Sequence, residues 1–351
     1  MISVFDHPWL GGLFGDAAAQ AIWSPERQLG HLVSVEAAWS RALGTVGRVP
    51  PDTAATAAAA IAGWTHDFDL LRQGTARDGL PVPALVRALK DAAGDAAGAV
   101  HAGATSQDIM DTALALTLRE TSDLLEERIA ALEAALAVLS DRFGTRPLMG
   151  RTRMQAATRI TAGDRIGAWA DPLPRHRARL AELRPRVERL QVGGASGDRA
   201  ALGADADAMM SALSTELGLA PADRAWHAAR DGVAEYASLL SLLAGSCGKI
   251  GQDICLMAQQ GVEEVELAGG GGSSAMPHKH NPVRAELLVT LARSAATDVS
   301  GLHHALVHEQ ERSGAAWSLE WMILPGLAMT AARALGLAAE VVGNVKRIGS
   351  A

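Results

Sequence analysis

The stretch Leu125-Glu126-Glu127-Arg128-Ile129-Ala130-Ala131-Leu132-Glu133-Ala134-Ala135-Leu136-Ala137-Val138-Leu139-Ser140-Asp141-Arg142-Phe143 places a large apolar residue at alternating steps of four and three. Leu125, Ile129, Leu132, Leu136, Leu139 and Phe143 therefore share one stripe of an α-helix, the seam of a long bundle helix, with charged residues on its other faces. Arg146-Pro147 ends the pattern. Toward the C-terminus, helical spacing resumes over 155–190, broken at Asp171-Pro172-Leu173-Pro174. A glycine-rich stretch follows (Gly193, Gly194, Gly197), then a short helix near 205–217. Residues 232–266 are apolar on nearly every face, as in a helix buried at a bundle centre, and two more helices are expected over 283–311 and 318–345. Toward the N-terminus, Ser24 and Pro25 open a helix over 24–45; Val49-Pro50-Pro51 and Gly79-Leu80-Pro81-Val82-Pro83 punctuate an alanine-rich helix and a short one over 84–97. No strand-rich region is evident. The expectation is all-α: a small helical N-terminal domain over 1–104 and a long-helix bundle over 105–351. Helices of about 30 residues run about 45 Å. The all-round apolarity of 232–266 suggests burial against further copies of the chain.

Composition fits. In 351 residues, 48% are apolar, 20% charged and 4% aromatic, which excludes a disordered chain and suits helices packed through small side chains. A formal net charge of -7 argues against nucleic-acid binding. No uncharged apolar run approaches membrane-spanning length, and Met1-Ile2-Ser3-Val4-Phe5-Asp6-His7 lacks a signal-peptide pattern, so a cytoplasmic protein with no membrane partner is expected. Cys247 and Cys255, eight apart on one helix, lie about 12 Å from each other, too far for a disulfide.

Three polar, glycine-containing segments begin or interrupt the long helices: His101-Ala102-Gly103-Ala104-Thr105-Ser106-Gln107-Asp108, Gly150-Arg151-Thr152-Arg153-Met154-Gln155, and Gly271-Gly272-Ser273-Ser274-Ala275-Met276-Pro277-His278-Lys279-His280-Asn281-Pro282. Each places hydroxyl, amide or cationic groups near an expected helix N-terminus, where unpaired N–H groups and the dipole favour an anion. Plain N-capping would account for the first two as well; it does not call for two serines, a lysine and an asparagine after a glycine run. The third segment is neither a Walker A loop nor a nucleophile elbow. His278 and His280 have no cysteine or carboxylate nearby, and His303, His304 and His308 read as a solvated or inter-subunit face; no metal is expected.

Ser273-Ser274-Ala275-Met276-Pro277-His278-Lys279-His280-Asn281-Pro282 resembles the Ser-Ser-x-Met-Pro-x-Lys-x-Asn signature of the aspartase/fumarase superfamily, and the other two segments match its remaining active-site regions in position and order. Phe68-Asp69-Leu70, Trp226-His227 with Arg230-Asp231, and His308-Glu309-Gln310-Glu311-Arg312 through Trp317 and Glu320-Trp321 resemble its branch of bacterial 3-carboxy-cis,cis-muconate cycloisomerases. The resemblance implies an aspartase/fumarase-like fold and a cofactor-free intramolecular lyase in the protocatechuate branch of the β-ketoadipate pathway. It also implies a small tricarboxylate substrate and a homotetramer whose active sites are shared between subunits. Family members commonly run longer, so their C-terminal domain is expected to be truncated or absent. By the same resemblance Ser273 exchanges the carbon-bound proton, and Lys279 and Asn281 stabilise the anionic intermediate. His101, Thr105, Ser106, Thr152, Arg153, Gln155, Arg230, Ser274 and Met276 bind substrate.

Position 153 departs from the family, where lyases most often carry histidine and cycloisomerases more often tryptophan. An amine or hydroxide leaving group needs a proton, which a near-neutral histidine supplies and an arginine cannot. Opening a lactone expels a carboxylate, whose conjugate acid has a pKa near ~4 and needs none. Arg153 therefore favours lactone chemistry, with Glu286, which would orient the histidine in lyases, left to pair with a cation or to lie on the helix surface. Two alternatives stay open. One is an adenylosuccinate lyase-like enzyme with His101 or His227 as acid; the other is a non-catalytic helical bundle, which intact Ser273, Lys279 and Asn281 argue against.

Overall fold

A computed structural model describes residues 3–269, 271–272, 276 and 280–349. Its helices are α1 (Gly11–Phe14), α2 (Ala17–Ile22), α3 (Pro25–Thr45), α4 (Pro51–Ala62), α5 (Phe68–Asp78), α6 (Val82–Ala93), α7 (Ser106–Phe143), α8 (Ala162–Ala170), α9 (Pro172–Val187), α10 (Ala206–Leu217), α11 (Asp231–Met257), α12 (Val283–His304) and α13 (Ala315–Gly343). Two small antiparallel ribbons complete it, β1 (Pro147–Thr152) with β2 (Gln155–Thr161), and β3 (Val265–Leu267) with β4 (Val345–Ile348). The architecture is all-α in its layers and core.

The seam expected on α7 is buried along its whole length, from Leu125 through Ile129, Leu132, Leu136 and Leu139 to Phe143. It packs with α8, α9, α11, α12 and α13 into one core. A second core joins α3 and the start of α7 to α10, and a third lies among α3–α6. α11 and α12 approach through glycine. A methyl on Gly248 would lie 2.4 Å from the Ala292 Cβ, and one on Gly251 would lie 2.5 Å from the Ala285 carbonyl oxygen. Small residues here set the helix–helix distance.

The structure corrects three expectations. Residues 155–161 form a strand rather than the start of a helix: Thr158, Ile160 and Thr161 are β-branched, and Ile160 and Thr161 pair with Leu148 and Pro147. α11 ends at Met257, and α9, α12 and α13 cover most of it within one chain, leaving outside a stripe that includes Glu235, Leu242, Gly245 and Lys249. Its apolarity alone therefore does not call for a second copy. His308 lies beyond the end of α12, buried against α13, not on a helical histidine face. α13 is long and apolar enough to cross a membrane by length and composition, but 61% of its most apolar window is buried inside the bundle, as in a core helix.

Candidate active site

The first segment is built on the N-terminus of α7. Thr105 is the N-cap residue, in extended conformation, and its backbone N–H donates to Asp108 Oδ2 at 3.0 Å. Asp108 is fully buried and also accepts from the backbone N–H groups of Gly193 (2.8 Å) and Gly194 (2.9 Å), while its Oδ1 meets His227 Nε2 at 2.9 Å. One carboxylate thus ties the cap of α7 to the glycine-rich loop and to the chain entering α11. Glycine is needed at 193, where an added Cβ would sit 2.6 Å from the His227 ring. His227 is buried here as a partner of Asp108. Ser106 is half-exposed beside this cap, and its hydroxyl makes no hydrogen bond among the described residues. Gln107 donates to Asp111 Oδ2 (3.1 Å) and to the His227 carbonyl (3.0 Å), and accepts from Arg312 Nε at 3.0 Å.

Arg230 departs from its expected role. Its guanidinium is buried between two carboxylates, with bonds to Asp111 at 2.8 and 3.1 Å and to Glu320 at 2.8 and 2.5 Å. Four of its five N–H donors go to these two carboxylates and the side chain is buried, so it is turned to the protein's own acids rather than to a substrate; it fastens α7 to α13 at the start of α11. Burial opposes its charge, but Asp111 and Glu320 outweigh burial and hold Arg230 further on the protonated side of its ordinary value. Burial likewise pushes the Glu320 carboxyl up, and His308 and Arg230 more than reverse this, leaving it below the usual range. His308 Nε2 lies 3.7 Å from Glu320 Oε1, an ion-pair distance too long for a hydrogen bond.

The second segment sits on a hairpin, not at a helix start. Arg153 and Met154 form its two-residue turn with φ of 48° and 66°, left-handed values expected of Asn-Gly and uncommon for these residues. Thr152, Arg153, Met154 and Gln155 are all exposed, so the tip projects from the bundle. Beside it a cavity of about 410 Å³ is lined by Arg151, Arg153, Arg165, Lys249, Asp253 and Glu264, among others. Arg151 pairs with Glu264 (2.8 Å) and Lys249 with Asp253 (2.6 Å); Arg153 and Arg165 have no ion pair among the described residues. The cavity wall therefore carries excess positive charge, as a polycarboxylate requires.

In the third segment, Ser273, Ser274 and Lys279 lie outside the described residues. The neck of the loop is described: Gly271 and Asn281 exchange backbone hydrogen bonds, both 3.0 Å, and Asn281 leads directly into α12. Met276 is partly exposed. Glu286 stands exposed in the first turn of α12, with no ion pair among the described residues.

One chain does not bring the three segments together. α7 has 38 residues, so Thr105 and the hairpin after Phe143 are separated by about 57 Å. The described neck of the third segment lies at the hairpin's end, because Glu264, which pairs with Arg151, directly precedes β3, and the neck follows β3. The first segment is alone at the opposite end. The sequence reading left Asp108, Asp111, Gln107, Glu320 and Arg312 without a role, although all but Asp111 stood in a quoted stretch; which buried polar groups face one another is fixed by the tertiary packing.

Long antiparallel helices, a capped anion-ready α7 and the signature loop before α12 define a lyase of the aspartase/fumarase type. The family model described as Lyase matches residues 12–300, and the chain belongs to that family. Over 329 residues it is 44% identical to a 3-carboxy-cis,cis-muconate cycloisomerase of Pseudomonas aeruginosa, covering 92% of this chain and 72% of the relative. It is 38% identical to the protein of the same name from Pseudomonas putida, covering 95% and 81% respectively. The crystal structure of the 3-carboxy-cis,cis-muconate lactonizing enzyme from Pseudomonas putida superposes with a TM-score of 0.92 at 37% identity, covering 97% of this chain and 77% of that one.

Proposed function

We propose that this protein is an intramolecular lyase that cyclises 3-carboxy-cis,cis-muconate to 4-carboxymuconolactone. The observation that carries the assignment is the likeness, along almost the entire chain, to enzymes bearing that name. The hairpin agrees chemically, since it offers a permanent cation where an amine-eliminating lyase needs an acid. In the forward reaction a substrate carboxylate oxygen forms a C–O bond to the conjugated double bond, and the displaced π electrons settle as an aci-carboxylate. Ser273 then delivers a proton to carbon, and regains one from solvent or a neighbouring acid. Lys279 and Asn281 hold the anion; Thr105, Ser106, Thr152, Arg153, Gln155, Ser274, Met276 and His101 bind the substrate. The substrate's own carboxylate accepts the electrons, so the step needs no cofactor.

The site is shared between copies in a homotetramer, in our reading. Support comes from the roughly 57 Å that separates the first segment from the described parts of the other two, and from the outer half of the β1–β2 ribbon, residues 151–159, which is exposed on both faces and marginal until something packs on it. As an enzyme of this soluble metabolic kind we place it in the cytoplasm.

The test is the ultraviolet absorbance of 3-carboxy-cis,cis-muconate on adding purified protein without metal or nucleotide. Loss of the conjugated-diene band, abolished in Ser273→Ala, is expected. An unchanged band with folded protein would overturn the substrate assignment and direct the search to amine-eliminating substrates.

A further inference from the structure

The loop that leads into α7 is held from one face of α3. Glu36, Trp39 and Ser40 lie at i, i+3 and i+4 on that helix. Ser40 Oγ donates to the Ala99 carbonyl at 2.9 Å, Trp39 Nε1 donates to the Ala102 carbonyl at 2.9 Å, and Glu36 Oε1 meets His101 Nδ1 at 2.6 Å. The first two are neutral anchors that fix the backbone on either side of His101. The third is different in kind. Glu36 is completely buried, and among the described residues its second oxygen has no hydrogen-bond partner and its only side-chain hydrogen bond is to that imidazole. A buried carboxylate satisfied at one oxygen is costly, and two neutral anchors would hold the loop without it. His101 itself has φ 59°, a left-handed conformation uncommon outside glycine. Its side chain is 15% exposed, and its Nε2 makes no hydrogen bond among the described residues.

We propose that Glu36 is a positioning residue for the substrate site: it accepts the Nδ1–H of His101, fixes the ring in that tautomer, and presents Nε2 to a substrate carboxylate next to Thr105 and Ser106. The proposal rests on the reading of His101 as a substrate contact. A carboxylate cannot donate, so Nδ1 must carry the hydrogen in this contact. Nε2 is then the nitrogen left for ligand, and a substrate carboxylate there is met by the ring with a second proton taken from solvent, so that both nitrogens donate, one to Glu36 and one to the substrate. Gln at position 36 keeps the shape but removes the charge, and its amide NH2 can donate to Nδ1, allowing the opposite tautomer. The effect is thus carried by the electronic state of the ring rather than by the loop's position.

The experiment is a double-mutant cycle on the whole protein, with steady-state kinetics on 3-carboxy-cis,cis-muconate for wild type, Glu36→Gln, His101→Asn and the double variant. Glu36→Gln should lower kcat/KM about 10-fold to 100-fold, as loss of an orienting partner behind a functional histidine does, chiefly through KM. In the His101→Asn background the same change should alter kcat/KM less than about 2-fold, because Glu36 acts only through the ring. Multiplying effects would show Glu36 acting independently and would overturn the proposal. A wild-type Glu36→Gln beside an impaired His101→Asn would overturn it too. Wild-type kinetics in His101→Asn would instead remove the reading on which it rests. Should Glu36→Gln fail to fold, nitrogen-15 chemical shifts of wild-type His101, assigned by their loss in His101→Asn, decide the matter: protonated Nδ1 supports the dyad, and a neutral ring with its hydrogen on Nε2 refutes it.

Discussion

Replacing Arg230 by methionine isolates the buried charge network behind the first segment. The substitution preserves much of the side-chain volume while removing four hydrogen bonds, two to Asp111 and two to Glu320. Breaking one buried ion pair costs about 3–5 kcal/mol, because the abandoned partner stays charged and desolvated. Here two carboxylates are abandoned facing each other, and the stacking of the guanidinium over Trp226 is lost as well, so the upper figure applies. At about 2.1 cal/mol/K per residue, a chain of 351 residues has an unfolding entropy of roughly 0.74 kcal/mol/K; a loss of about 5 kcal/mol lowers Tm by roughly 7 °C. The pH dependence gives a second signature. In the native protein the Glu320 carboxyl is held below its ordinary value, so its contribution is present above the normal glutamate range and disappears as pH falls through the depressed value. In Arg230→Met, like charge and burial raise one of the two carboxyls instead, and the deficit shrinks as pH falls from 8 toward 5.5 and that group takes up a proton. Thermal unfolding at fixed protein concentration across this range measures both effects. Adding Asp111→Asn and Glu320→Gln should recover more than half of the loss. A Tm within about 2 °C of wild type at pH 8 would refute the reasoning.

The remaining predictions concern the rest of the machinery. Mixing two inactive variants, one altered at Ser106 and one at Ser273, and allowing subunits to exchange should restore activity, because some hybrid sites then draw all three segments from intact copies; persistent inactivity in verified hybrids would count against shared sites. Arg153→Gln should raise KM for the tricarboxylate at least several-fold while Arg153→His stays closer to wild type at acid pH than at alkaline pH, checked by kcat and KM across pH; unaffected lactonisation in both would remove Arg153 from the site. Gly251→Ala should cost about 1–3 kcal/mol through overpacking against Ala285 and Leu288, read as a drop in Tm. Burial pushes the Cys247 thiol up to about 12, and burial with Glu286 nearby pushes Cys255 up to about 11, so neither should react appreciably with iodoacetamide in the native protein at pH 7.5, by mass spectrometry, until denaturant is added.

The α7 seam was legible because a helix that buries one stripe writes that stripe into its residue spacing, and every position from Leu125 to Phe143 named on it is buried. The β1–β2 hairpin was not legible. Its turn is Arg153-Met154 where hairpin chemistry favours Asn-Gly, and a bulge between Met149 and Arg151 breaks the two-residue alternation that marks a strand. Arg230 shows a third limit. A lone arginine near a histidine reads equally well as a ligand for a substrate carboxylate or for the protein's own; the answer depends on Asp111 and Glu320, 119 and 90 residues away in sequence.

These differences have a common physical origin that bears on the mechanism. A long straight helix is a good spacer and a poor concentrator: α7 holds its cap and the hairpin apart by its own length, whatever the side chains at either end. Within one chain, therefore, the residues that match the family's motifs are separated more strictly than in a fold whose loops converge on one face. The buried polar groups respond to this. Asp108 locks the cap, the glycine loop and His227 together, and Arg230 locks α7 to α13, so the first segment is rigid before anything approaches it. At the other end Arg153 is held in a strained turn on an exposed ribbon, positioned by backbone geometry with no partner in its own chain among the described residues. In the shared-site reading proposed above, the rigid cap and the projecting cation are halves of one site, so turnover should depend on protein concentration as copies associate, and turnover per chain that stays constant on dilution to monomer would count against it.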